Sequence, residues 1–403
     1  MSALDNASAA IASVRRATAA HRHSAPAFTI EIQPLAALER HMAAWRELAA
    51  QAIEPNVFYD PVFALAAAKL LGGEVFAVLV WTTDPSRRLA GLFFLRVERH
   101  RYAVPLPVLV AWTHPYAPLG TPLVHRDLAE PVLEAWLDYI AHERSLPALL
   151  LMQLFNEEGP FAAAFVAALA RRGGAVKSFG RHRRALFEPG DHRQRYFERT
   201  MPARRRRDLR RQWRRLEQRG PLILAELSKS SELRRGFENF LLLESSGWKG
   251  RAGTAAACHA GVRDFMQEVV IGLGQQGQAS VYELRLDAKP IASAVVLKSG
   301  DIGWTWKIAF DEGYSAYSPG VLLMQALTKS LAADTAIRRV DSCAVPTHMM
   351  INHLWAERVA IADCLLATSA EAALSFAMAA RLESLRRAAI AVVKSIRDRL
   401  RAH

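Results

Sequence analysis

Glu244, Trp248 and Lys249 fall close together in the run ESSGWKG. An ammonium there holds an anionic group or polarises a carbonyl, and a neighbouring carboxylate takes a proton from an attacking amine. Trp248 offers a flat surface to a substrate. The run ends a helix, where Lys249 suits the negative end of the dipole and Glu244 does not. Gly247 and Gly250 permit positive φ, so a sharp bend is expected. The plainer alternative is a helix C-cap with a solvated lysine.

Further on, Trp304, Trp306, Ile308 and Phe310 alternate along a strand. Strict alternation puts Trp304 and Trp306 on one face and Lys307 on the other. Trp306 then serves as core or as a stacking surface for substrate. Lys307, in mid-strand, suits a cleft where it meets phosphate or an acyl carbonyl. Asp311 and Glu312 open an acidic turn, and Asp311 is carried as a substrate contact. The segment Tyr317-Ser318-Pro319-Gly320 starts an apolar helix, with Ser318 as N-cap and Pro319 at the first position. Its free N–H groups and positive dipole end can hold phosphates. Asp341 ends a short strand beside Ser342 and Cys343. Burial between apolar strands would raise its pKa toward that of a general base, and a capping role is the alternative. His348 is a further acid or base. His348 and His353 do not share a metal-binding helical face, and no metal motif occurs.

The elements that must position these groups follow one order twice. From residue 28 and again from residue 222 the pattern reads β-α-α-β-β-β-α-β-α-β. This predicts an α/β fold with mixed (α+β) sheets and two tandem domains, over 27–185 and 186–368. A basic leader over 1–26 precedes them, and an amphipathic helix over 369–403 follows. Three scattered cysteines fit a reducing, cytoplasmic setting. No apolar run nears the roughly 18–20 residues of a membrane span.

The chain carries a net charge of +13. Arg181–Arg219 alone holds fifteen Arg against five acids, a net of +10. Within it Leu209, Trp213 and Leu216 form one apolar stripe, with Arg204, Arg207, Arg210, Arg211, Arg214 and Arg215 on the other side. Anionic partners are favoured over cationic ones. In the last helix Leu382, Leu385, Ala389, Val392, Val393, Ile396 and Leu400 keep helical spacing. Arg386, Arg387, Lys394, Arg397 and Arg399 oppose them. Packing onto the body is the first reading, and a membrane-surface contact is the second.

Four blocks resemble the GNAT-like acyltransferases of the CelD group, relatives of the FemAB peptidyltransferases. They are PARRRRDLRRQWRRLEQRG, LLLESSGWKGRAGTA, WTWKIAFDEGYSAYSPGVLL and VDSCAVPTHMMINHLW, all within Arg199 to Leu366. The first half is similar mainly in element order and in LGTPLV. The resemblance implies two tandem GNAT-like folds. It also implies acyl-CoA (acetyl-CoA) as donor, an amine acceptor on a small molecule or glycan, direct transfer, and no metal. It carries an association with cell-envelope or exopolysaccharide synthesis. Lys307 and Tyr317 to Gly320 then become donor contacts. Asp341, Glu244, Lys249 and His348 become catalytic candidates, and Trp248, Trp306 and Asp311 acceptor contacts. The usual R/Q-x-x-G-x-G/A loop has two glycines where this chain has one. A tRNA-borne aminoacyl donor and a non-catalytic binding protein are the alternatives.

Overall fold

A computed structural model describes residues 28–172 and 174–401, with side chains as far as Ile396. The leader expected over 1–26 lies outside the described residues, as do the side chains of Arg397, Arg399 and Leu400. The chain begins β1 (Phe28–Pro34), α1 (Met42–Gln51), α2 (Pro61–Leu71), β2 (Phe76–Thr82), β3 (Leu89–Glu98), β4 (Val108–Ala111) and β5 (Leu123–Val124). Next come α3 (Ala129–His142), β6 (Leu149–Asn156), α4 (Pro160–Arg172), β7 (Val176–Phe187), α5 (Tyr196–Thr200) and α6 (Ala203–Glu217). Then follow β8 (Leu222–Leu227), α7 (Ser230–Ser246), α8 (Trp248–Arg251), α9 (Ala260–Gln275), β9 (Ala279–Leu286), β10 (Lys289–Ser299) and β11 (Ile302–Phe310). The last are α10 (Pro319–Ala333), β12 (Arg339–Asp341), α11 (Met349–Asn352), β13 (Glu357–Ala367) and α12 (Ala373–Arg401).

Two compact units emerge, and neither is a continuous stretch of chain. The first holds 73–182, the chain before 59 and the chain from Ala360 onward; the second holds Tyr59–Gly72 and Arg183–Val359. Within the first, β1 to β4 are antiparallel neighbours, β4 and β6 run parallel, and β13 closes antiparallel on β6. Within the second, β8 to β11 are antiparallel, β11 and β12 run parallel, and β7 closes antiparallel on β12. The two sheets share one plan, and each takes its sixth strand from the other half of the chain. Both are mixed α/β layers, and α12 is present as the C-terminal helix.

The apolar strand runs explain the cores. β2 and β3 are buried along almost their whole length, which suits strands covered on both faces. In the first unit Phe93 stacks on Trp136 of α3 at 3.9 Å between centroids. In the second, α6 buries Leu209 and Leu216 in a core built with Tyr282, Leu284, Leu322 and Trp355. Its Arg204, Arg207, Arg210, Arg211, Arg214 and Arg215 stay exposed, as the stripe requires. Asp60 caps α2 by accepting from Val62 N at 2.9 Å, and Pro61 occupies its first position.

The closing strand of the second unit is held by a buried ion pair. Arg184 on β7 donates from Nη2 to Asp341 Oδ2 at 2.6 Å and from Nε to Oδ1 at 2.8 Å. Both side chains are almost fully buried. Asp341 Oδ1 also accepts from Cys343 N at 2.9 Å. Asp341→Ala leaves a buried guanidinium without its partner. We expect a loss of about 3–5 kcal/mol in urea unfolding, whereas replacing both residues with apolar ones of similar volume should cost much less.

Candidate functional site

The parallel step between β11 and β12 is short. Only Ile302↔Arg339, Gly303↔Val340 and Trp304↔Asp341 pair. From Thr305 to Phe310, β11 keeps β10 on one side and has no strand on the other among the described residues. Thr305 Oγ1 donates to Ser342 O at 3.2 Å, and beyond that link the strands diverge. The edge so opened presents backbone groups that a ligand can use.

A β-bulge sits at the mouth of this opening. Lys307 pairs with Val295 and Thr305 with Val296, so Trp306 has no opposite residue. Residues directly opposite share a face, and Val295 and Leu297 lie on one face of β10. Lys307 is therefore on the same side as Trp304, which pairs with Leu297, and not opposite to it. The expected alternation fails because the extra residue shifts its phase. Burial holds the Lys307 ammonium below its usual pKa, and the Lys249 charge adds to this, while Glu244 pulls the other way.

A cavity of about 450 Å³ lies beside the divergence. Glu244, Trp248 and Lys249 line one wall, and Ile308 and Phe310 of β11 another. Ser318, Pro319 and Gly320 at the start of α10 form the floor with Met350, and His348 completes the lining. Its size falls in the range of small-ligand sites, roughly 300–1,000 Å³. A larger cavity, about 740 Å³, is bordered by α5, α6 and α10 and lined by Arg195, Arg206, Arg210 and Lys329. It has no strand edge, so the smaller cavity is the candidate for chemistry.

The ESSGWKG run is built by close approach and not by positive φ. Gly247 ends α7 in extended backbone at φ −90°, and Gly250 is helical. A Cβ on Gly250 would stand 1.7 Å from Ser245 O, so only glycine fits. Glu244 Oε1 accepts from Lys249 Nζ at 2.8 Å and its Oε2 from Ala256 N at 2.9 Å. Glu312 fastens the other side, accepting from Trp248 N and Arg251 Nη2, each at 2.7 Å. This clamp leaves Trp248 58% exposed at the rim. From the sequence, Glu312 is one acid of a turn. Nothing in the sequence shows that its carboxylate reaches back 64 residues.

Helix α10 starts without the expected side-chain cap. Ser318 adopts a left-handed backbone at φ 54°, and its hydroxyl makes no capping bond. Its carbonyl accepts from Val321 N and Leu322 N instead. Gly320 lets Phe310 come close, since a Cβ would stand 3.2 Å from its ring. Just before it, Tyr317 OH accepts from Arg219 Nη1 at 3.3 Å. Arg215 and Arg219 lie over its ring at 5.1 and 5.7 Å. The basic helix α6 thus brings cationic groups beside the helix start, a placement the spacing alone does not show.

His348 lines the cavity, and its Nδ1 is buried with no hydrogen-bond partner. Three other candidates are turned elsewhere. Asp341 is not a free base, because Arg184 and the Cys343 amide occupy its carboxylate. Trp306 belongs to the core, edge-on to Phe63 at 5.5 Å and Phe265 at 6.2 Å, and does not line the cavity. Asp311 caps its own turn through Gly313 N and takes Lys289 Nζ at 3.0 Å. Burial pushes the Cys343 thiol well up, which keeps it protonated. No group of His, Cys, Asp and Glu among the described residues is arranged to hold a metal ion.

The matching place in the first unit is filled. β4 and β6 pair only at Leu109↔Leu150 and Val110↔Leu151. Past them the loop through Gly120 enters, and Gly120 N donates to Leu154 O at 2.8 Å. A Cβ there would stand 2.2 Å from Gln153 O, so the LGTPLV glycine is a plug. Burial takes His114 of the same loop down to about 4, keeping its ring neutral.

Residues 203–348 match the model of an acetyltransferase (GNAT) domain. Among curated proteins, no sequence matches the chain. Solved structures resemble it at low identity. FemX shares 11% identity with a TM-score of 0.54, over 76% of this chain and 88% of that one. The C-terminal domain of a putative lysylphosphatidylglycerol synthetase from Agrobacterium fabrum shares 12% with 0.51, over 85% and 96%. A conserved protein of unknown function from Bacteroides thetaiotaomicron shares 10% with 0.51, over 84% and 100%. These likenesses are of fold. The second unit of this chain carries a GNAT-like acetyltransferase domain over residues 203–348.

Proposed function

We propose that the chain is an N-acyltransferase that moves an acyl group from a coenzyme A thioester to an amine. The observation that carries this reading is the cavity where β11 leaves β12, bounded by a helix start and by a histidine with an unpartnered nitrogen. The donor's phosphates suit the first amides of α10 and the nearby Arg219 and Arg215. Its extended arm suits the edge of β11 that no strand covers among the described residues. The single glycine of the loop is offset by Ser318, whose left-handed backbone turns the chain into the helix.

In this reading the amine attacks the thioester carbonyl, the C–N bond forms and the C–S bond breaks. His348 Nδ1 takes the proton the nitrogen loses. Lys249, fixed by Glu244, presents positive charge to the carbonyl oxygen as it gains negative charge. Glu244 acts through Lys249 and is a positioning residue, since both its oxygens already accept bonds. Trp248 stands at the rim, where the acceptor enters. An amino sugar fits such an acceptor and agrees with the CelD-like blocks; a cytoplasmic site of action fits a thioester donor.

A second reading has one observation in its favour. The exposed arginine face of α6 could engage the phosphates of a charged tRNA as donor. Its phosphate contacts would then be strongly weakened by salt.

Three outcomes test these readings. His348→Ala should lower kcat/KM by roughly 10²–10⁴-fold in a thiol-release assay, with donor binding by calorimetry nearly unchanged. No thioester binding by the wild-type chain across common acyl lengths would remove the first reading. Replacing Arg204, Arg207, Arg210 and Arg211 by Glu should leave thioester turnover intact. If it instead abolishes salt-sensitive tRNA binding and tRNA-dependent transfer, the second reading holds.

A further inference from the structure

The outer face of α12 is apolar and uncovered. Leu374, Met378, Leu385, Val392 and Ile396 recur at spacings of four, seven, seven and four. At 100° per residue they fall within about 40° of arc. Leu374 is 86% exposed, Leu385 67% and Val392 58%. The opposite face is the docked one: Ala379, Ala380 and Glu383 are buried against the first unit's core, with Tyr102, Leu149 and Leu365. From Ala388 to Ile396 every residue is exposed. A helix that leaves its body while displaying Ile390, Val392, Val393 and Ile396 to water lacks the packing that stabilises most helices.

Charge decides what covers it. Between Ala373 and Ile396 the one acid is Glu383, which is fully buried and paired with Arg101 and Arg387. The exposed charges are cationic: Arg381 and Lys394, with Arg386 half-buried. A second copy laid along the stripe would set cations against cations, with no acids to pair across the seam. An anionic surface meets no such conflict. On the polar side of the same helix there is also a recess of about 510 Å³, lined by Arg96, Glu98, Arg101, Arg386, Arg387 and Lys394, with Glu98 paired to Arg96 and Arg101 and Arg387 paired to Asp363 and Glu383. Arg96 Nε is buried there without a partner.

We infer that α12 is an interfacial helix that seats the first unit on an anionic lipid bilayer, with its stripe among the acyl chains and its exposed cations near the headgroup phosphates. Among the described residues no helix is long and apolar enough to cross a membrane, so the contact is in the plane of the surface. The inference stands apart from the transfer chemistry, since it uses none of the residues assigned to it.

The test is co-sedimentation of the full chain with vesicles of phosphatidylcholine alone and of phosphatidylcholine with phosphatidylglycerol. Binding should need the anionic lipid and weaken with salt. Leu385→Glu with Val392→Glu, and separately Arg386→Glu with Lys394→Glu, should each weaken it by about tenfold or more. Both pairs are at or near the surface, and unchanged circular dichroism and thioester turnover would show the fold intact. Absence of binding to either vesicle overturns the inference, as does binding that both double variants retain. Loss of binding only in the α6 charge reversal would move the lipid contact to that helix. A concentration-dependent dimer in sedimentation velocity, abolished by Leu385→Glu with Val392→Glu, would make the stripe an interface between copies and overturn it too.

Discussion

The second unit depends on where β11 stops pairing with β12. Three residue pairs are made and then the strands part. Had pairing continued to Phe310, the edge groups would be satisfied by sheet hydrogen bonds and no ligand could claim them. The bulge at Trp306 supports the same break, because the extra residue of a bulge bends its strand and raises local twist. It also changes which side chains meet. Trp306 falls among Phe63 and Phe265, while Lys307 turns toward Lys249 and Glu244. The first unit reaches the same point and resolves it differently. There the loop at Gly120 supplies the missing hydrogen bond, and its lack of a side chain lets the backbone fit. One sheet plan thus gives one open and one filled divergence.

The carboxylates around the open site are occupied in holding it together. Glu244 ties Lys249 to the Ala256 amide, Glu312 ties α8 to its turn, and Asp341 ties β12 to β7. Each is a charge-assisted contact, stronger than a neutral hydrogen bond. Using them this way keeps the short α8 in place, since four residues cannot hold a helix by themselves. It also leaves His348 as the titratable group on the cavity wall with an unused nitrogen.

Much of this was legible in the sequence where the signal was local. Strand and helix order followed from hydrophobic period, and the α6 stripe of Leu209 and Leu216 with its outward arginines was readable from spacing alone. Glu244, Trp248, Lys249, Ser318 to Gly320 and His348 were named from residue type together with the block resemblance, and the fold brings them to one cavity. What escaped was set by distant partners. The pairing of Asp341 with Arg184 spans 157 positions, and a bulge leaves no mark in an alternating run. The exchange of sixth strands was equally hidden. β7 and β13 read as the ends of their own halves, and only the pairing of Asp341 with Leu186 and of Ile361 with Asn156 shows otherwise.

Charge is distributed in a way that separates chemistry from partners. The chain's excess of +13 is not gathered at the cavity, where Lys249 is neutralised by Glu244 and much of the remaining wall is apolar. A low-polarity wall strengthens the few oriented charges that remain, because fewer waters compete with them. Exposed cations lie instead on the outward face of α6 and along α12. Exposed charges contribute little to stability, and like charges in a cluster repel. A helix that keeps six exposed arginines against that cost is shaped by what it meets, not by what it packs on. Basicity here therefore describes the surroundings in which the chain works, and the reaction is decided by a few groups at the end of a three-pair parallel step.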